Sequence, residues 1–220
     1  MNIKKYLAIL IFCLLSVSCA TNNAQHGTAE ALFEQGDRYA KGIDGPRDYD
    51  KAIKYYQMAA AQGNAKAEYA LGYLYRTGHG VQQNYNQAAE WFERAAQQGN
   101  ADAQHSLGVR YLLGQGTAQD YNHAYYWFEK SAEQGNPYAE NELGFMYAAG
   151  KGVQQNYTIA IQWYQKAADH GLASAQYNLG LMYASGVGTP VNKAKAIELF
   201  RMAAARGFQP ARKALAQTQS

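Results

Sequence analysis

Few residues in this chain have the types and spacing that chemistry requires. The five histidines are His26, His79, His105, His123 and His170. None shares an H-E-x-x-H turn or a His/Cys cluster, the spacings that would place two or more ligands around a zinc ion. The two cysteines, Cys13 and Cys19, both lie near the N-terminus. There is no G-x-S-x-G elbow to present a nucleophilic serine and no Walker-type loop to cradle phosphate. The S-x-x-K pair of serine acyl-transfer enzymes is also missing, and Arg76-Thr77-Gly78 is only a faint echo of their K-T-G. Gly-x-Gly pairs such as Gly150-Lys151-Gly152 invite a phosphate reading, but their regular recurrence favours helix termination. We therefore expect no enzyme activity, no cofactor and no metal.

The elements that would have to position any site are set by an internal repeat. Shifted by 36 residues, the chain aligns with itself over five gapless units, 29–64, 65–100, 101–136, 137–172 and 173–208. The third position is Ala31, Ala67, Ala103, Ala139 and Ala175, and the eighth is Gly36, Gly72, Gly108, Gly144 and Gly180. The eleventh is tyrosine in all five units, from Tyr39 to Tyr183, and the fourteenth is glycine, from Gly42 to Gly186. Aromatic pairs follow: Tyr55-Tyr56, Trp91-Phe92, Trp127-Phe128 and Trp163-Tyr164, with Leu199-Phe200 in the last unit. Within a unit, Ala67, Ala70, Leu71, Leu74 and Tyr75 recur at the spacing of one helical face. A second helix is expected after Asp48, Asn84, Asp120, Asn156 and Asn192, whose side chains suit an N-cap, and glycines end each helix. Glycine in mid-helix costs about 1 kcal/mol, so the eighth position implies close approach of a neighbouring helix, with the alanines as its counterpart. The expectation is an all-α, α/α solenoid of five helix-turn-helix repeats, closed by a capping helix and tail over 209–220.

The first 20 residues stand outside this pattern. Lys4 and Lys5 precede an apolar run from Leu7 to Leu15, the layout of a secretory signal over 1–18. Leu15-Ser16-Val17-Ser18-Cys19 resembles a bacterial lipobox, with Ser16 where leucine is usual. That resemblance implies lipidation of Cys19 and a short linker to residue 28; the rival is cleavage after Ala20. Ala20 after the cysteine implies outer-membrane sorting and a membrane-anchored, periplasm-facing lipoprotein. The chain has 20 Lys and Arg against 17 Asp and Glu, and loses two of the bases with Lys4 and Lys5. With no basic stripe, nucleic acid is not an expected partner.

The pattern A-x-A-x3-LG-x2-Y-x2-G-x-G, then Asx, Ala, an aromatic pair, Ala-Ala and Gly, resembles the Sel1-like repeat family, relatives of the tetratricopeptide repeat. The resemblance covers 29–215. It implies a right-handed superhelix that holds a protein or peptide in a concave groove, lined by first-helix positions 2, 5, 9 and 12. The partner-binding residues it points to are Tyr69, Tyr73, Arg76, His105, Asn141, Phe145 and Tyr177, whereas Leu112 and Leu181 also suit packing between repeats. The implied function is an envelope-anchored scaffold or inhibitor, with an immunity protein against a periplasmic toxin as a special case. Two alternatives remain at this point. One is a β-lactam- or cell-wall-acting hydrolase of the cysteine-rich Sel1-like type, whose paired cysteines this chain lacks. The other is a secreted host-interaction factor.

Overall fold

The computed structural model describes residues 27–218, which places the signal-like segment and Cys19 outside the described residues. The chain divides into two units, one ending at Asn84 and one beginning at Tyr85. The first contains helices α1 (Ala29–Lys41), α2 (Tyr49–Ala61) and α3 (Ala65–Thr77). The second contains α4 (Tyr85–Gln97), α5 (Ala101–Leu113), α6 (Tyr121–Ala132), α7 (Pro137–Ala149), α8 (Tyr157–Asp169), α9 (Ala173–Ser185), α10 (Lys193–Ala205) and the terminal α11 (Gln209–Thr218). The architecture is an all-α solenoid of paired helices with a final capping helix.

Local chemistry fixes where these helices start. Asn64 Oδ1 accepts from Ala67 N at 2.9 Å, Asn100 Oδ1 from Ala103 N at 2.8 Å, and Thr28 Oγ1 from Ala31 N at 3.2 Å. Asp48, Asp120, Asn156 and Asn192 do the same for the second helices. Each satisfies a first-turn N–H that the helix itself leaves unpaired. The fifth repeat breaks the rule: Leu172 stands at the cap with no side-chain acceptor and instead packs against the core around Leu179 and Leu199. First helices close on left-handed glycines, as at Gly78, whose N–H donates to Leu74 O at 2.8 Å.

Within each unit the core lies between the two helices of a pair and the first helix of the next. In the second unit, Ala124, Phe128, Ala139, Leu143 and Met146 form one such cluster with Leu112 and Ala132. The mid-helix glycine has a different counterpart from the expected alanine. A Cβ at Gly108 would stand 2.7 Å from the Phe128 ring, one at Gly144 2.6 Å from Tyr164, and one at Gly36 2.7 Å from Tyr56. In these repeats, and at Gly180 against Phe200, the second aromatic of the pair therefore packs against bare backbone of its own repeat. The first aromatic does not share this burial: Trp127 is half-buried while Phe128 is wholly buried.

The second loop glycine also does more than end a helix. Gly80 and Gly188 have φ of +72°, and a Cβ there would come within 2.5 Å of Tyr49 and Tyr157 respectively. At Gly116 it would collide with the Tyr85 carbonyl, and at Gly152 it would stand 2.6 Å from the Tyr121 carbonyl oxygen. This loop thus rests on the start of the preceding repeat's second helix. The first repeat has no such predecessor, and there Asp44 takes the position and accepts from Arg38 Nε at 2.7 Å.

Candidate functional site

The first-helix faces carry the candidate residues, and each unit presents its own set. In the first unit, Tyr73 is 41% exposed, and the Arg76 guanidinium lies 4.9 Å above its ring. Tyr69 is half-buried on the same helix. The Arg76 carbonyl accepts from Gln83 Nε2 at 2.8 Å, and Gln119 and Gln155 repeat this bond to Leu112 O and Ala148 O. These loop glutamines satisfy carbonyls at helix ends.

In the second unit, the fifth-position residues face two ways. The His105 ring lies 5.8 Å from Phe128 and 5.8 Å from Tyr138. Tyr177 lies 5.7 Å from Phe200 and 5.4 Å from Phe208. Both residues are half-buried, so one side of each ring belongs to the stack. Tyr177 also lines a cleft of about 370 Å³ with Leu181, Pro210, Lys213 and Gln217. Asn141 replaces the ring in its repeat, and its Oδ1 accepts from Asn178 Nδ2 at 3.0 Å. Phe145, one turn further along α7, is half-buried and packs on the core cluster, with Lys151 Nζ 5.2 Å from its centroid. Leu112 is buried, whereas Leu181 is 41% exposed.

Four buried polar positions escaped the sequence reading. At the fourth place of the first helix stand Glu68, Gln104, Glu140 and Gln176, all nearly inaccessible. Gln104 Nε2 donates to Ala96 O at 3.1 Å, and Gln176 Nε2 to Ala168 O at 3.4 Å, each reaching the end of the preceding second helix. Glu140 cannot donate in this way as a carboxylate. Burial pushes its carboxyl up, and the nearby His170 imidazole, 3.8 Å away, partly offsets that. The recurrence of a long polar side chain beside the invariant alanine was the signal.

Two further concavities do not compete for a role. One of about 520 Å³ in the first unit is lined by Arg38, Asp44, Asp48 and Lys51, whose charges pair with one another. A shallower one of about 290 Å³ lies between Gln104, Tyr126, Trp127 and Lys130. Among the described residues no His, Cys, Asp and Glu group is arranged to hold a metal ion, and no helix is long and apolar enough to cross a membrane.

Comparison with known proteins gives this arrangement a family. The family profile for the Sel1 repeat matches 29–64, 65–100, 101–136, 137–172 and 173–208. The chain is 37% identical to a protective antigen of uropathogenic Escherichia coli with an SLR fold, at a TM-score of 0.78 over 85% of this chain. It spans only 40% of that protein's length. A Sel1 repeat protein from Oxalobacter formigenes is 33% identical, at a TM-score of 0.84, with 88% of this chain and 76% of that one covered. An immunity protein of Pseudomonas aeruginosa is similar at 25% identity and a TM-score of 0.56, over 83% of this chain and 67% of that one. No curated protein matches the chain. The residues that recur from unit to unit are occupied in helix ends and in ring-on-glycine packing, which leaves them structural rather than catalytic. The chain belongs to the Sel1 repeat family, and its helix pairs are TPR-like.

Proposed function

We propose that the chain is an exported, lipid-anchored scaffold or inhibitor that binds a protein partner of the cell envelope through its first-helix faces. The observation that carries the reading is the contrast between fixed and free positions. The recurring glycines and alanines and the buried second members of the aromatic pairs, such as Phe128 and Phe200, are locked in the stack, while Tyr73, Tyr138 and Leu181 remain 41%, 56% and 41% exposed on first helices. Solvent-facing rings on rigid helices lose little entropy when covered, and Tyr and Arg are frequent hot spots. Tyr69, Tyr73 and Arg76 form the proposed contact set of the first unit. His105, Asn141, Phe145 and Tyr177 form that of the second.

Inhibition of a toxin is the finer form of this reading, supported by the similarity to the Pseudomonas aeruginosa immunity protein. Anchoring rests on Cys19 and Ala20, and through them an outer-membrane, periplasm-facing location. Two experiments test the whole. Capture of partners from a membrane extract by the full chain should give a protein that Tyr73→Ala no longer retains. Fatty-acid labelling and fractionation should lose both label and membrane location in Cys19→Ala; an unchanged variant would refute the anchor.

A further inference from the structure

Helix α7 brings Tyr138, Asn141, Glu142 and Phe145 onto one side, at spacings of three and four residues. Glu142 is half-buried there, and burial pushes its carboxyl above the ordinary range. Its effect reaches the Tyr164 phenol, which burial first and then the Glu142 charge push up. Some carboxylates of the chain pair with a cation: Glu30 has Lys66, Asp48 has Lys51, and Glu133 has Lys130. Among the described residues Glu142 has only a long contact, 3.4 Å from Asn141 Nδ2. Asn178 in turn holds Asn141 by its Oδ1 at 3.0 Å, which keeps that amide turned toward the carboxylate. A desolvated carboxylate without a cation weakens the fold, and such groups cluster at working sites.

We propose that Glu142 is the seat for an arginine side chain of the protein partner, oriented by Asn141 and Asn178. The proposal rests on the first-helix face of the second unit being the partner face. Arginine fits better than lysine on two counts. Its planar fork can donate to both carboxylate oxygens at once. It can also lie over an aromatic face, and the Tyr138 ring, 56% exposed and steadied by His105 at 5.8 Å, stands one turn away on the same helix. The charge that burial strands in the free protein is then neutralised on binding.

The test uses the full chain and the pentapeptide Gly-Gly-Arg-Gly-Gly, with its neutral citrulline counterpart as the control for charge. In titrations followed by side-chain amide NMR, the arginine peptide should shift the Asn141 and Asn178 signals. The citrulline peptide, or Glu142→Gln with the arginine peptide, should bind at least about tenfold more weakly. Glu142→Gln should melt at the same temperature as the parent or higher, since a purely structural carboxylate would be missed. Equal binding of the two peptides, no shift at either asparagine, or an unaffected Glu142→Gln variant would overturn the proposal. The two readings fail separately with a captured partner. Loss of binding in Phe145→Ala but not in Glu142→Gln removes the arginine seat alone, whereas full binding in both removes the face.

Discussion

Gly116 and Gly135 have nearly the same left-handed backbone, φ +78° and +79°, but different surroundings. A Cβ at Gly135 meets nothing within 4 Å, while one at Gly116 meets the Tyr85 carbonyl. Gly135→Ala should therefore cost only the strain of the backbone, about 1–2 kcal/mol. Gly116→Ala should cost at least about 1–3 kcal/mol more, because backbone must move; chemical denaturation reads the difference, and equal losses would refute the close approach. Among rings, Phe128→Ala should cost about 3–5 kcal/mol, and the half-buried Trp127 should cost clearly less, which reverses the weight its size suggests. Glu140 makes the residue-scale case for pH. Its raised carboxyl means the fold favours the protonated form. That contribution is present below the ordinary carboxyl range and is lost as pH rises through the raised value. Glutamine, already used at Gln104 and Gln176, donates at any pH. Glu140→Gln should raise the melting temperature at neutral pH, and the gain should vanish under mildly acidic conditions. A gain that persists on acidification would contradict this sign.

The helices themselves were largely legible, because caps and closures depend on short-range contacts written in consecutive residues. Asx at the start, glycine at the end and apolar spacing between them place each helix pair. What was not legible is which neighbouring repeat a side chain meets. Gly116 touches the backbone of Tyr85, far back in the chain, and the reach of Gln104 to Ala96 crosses from one pair to the next. Recurrence marks these positions as structural but does not say which neighbour they meet, and from sequence alone Gly116 reads as a helix stop. Cap strength varies for the same reason. Asn136 Oδ1 accepts from Tyr138 N and Ala139 N, and its Nδ2 also donates to Asp102 Oδ1 at 3.0 Å across repeats. Among the described residues, the Thr28 side chain makes only the bond to Ala31 N. Asn136→Ala should thus fall at the upper end of the roughly 0.5–2 kcal/mol range for lost caps, and Thr28→Ala at the lower end. Thermal denaturation of the two variants ranks them, and the reverse order would mean the inter-repeat bond contributes nothing.

For the whole molecule, the sequence separated invariant from variable positions, and the Sel1 assignment follows from the former. The variable ones were harder to assign, because a side chain can serve the stack and a partner together. His105, Tyr177 and Phe145 each have one side against the core, so their truncation costs stability as well as any affinity. Tyr73, the most exposed of the proposed contact residues, separates the two effects better. The net charge of +3, less the two N-terminal lysines, leaves no strong overall field, so binding should depend on covered aromatic area more than on salt. The most direct test is calorimetry of the captured partner against the parent chain, Tyr73→Ala and the second-helix control Gln87→Ala. Tyr73→Ala should weaken binding by at least about 1–2 kcal/mol with its melting temperature nearly unchanged, and Gln87→Ala should bind like the parent. Loss of affinity in Gln87→Ala with full affinity in Tyr73→Ala would place the partner on the second helices and contradict the account.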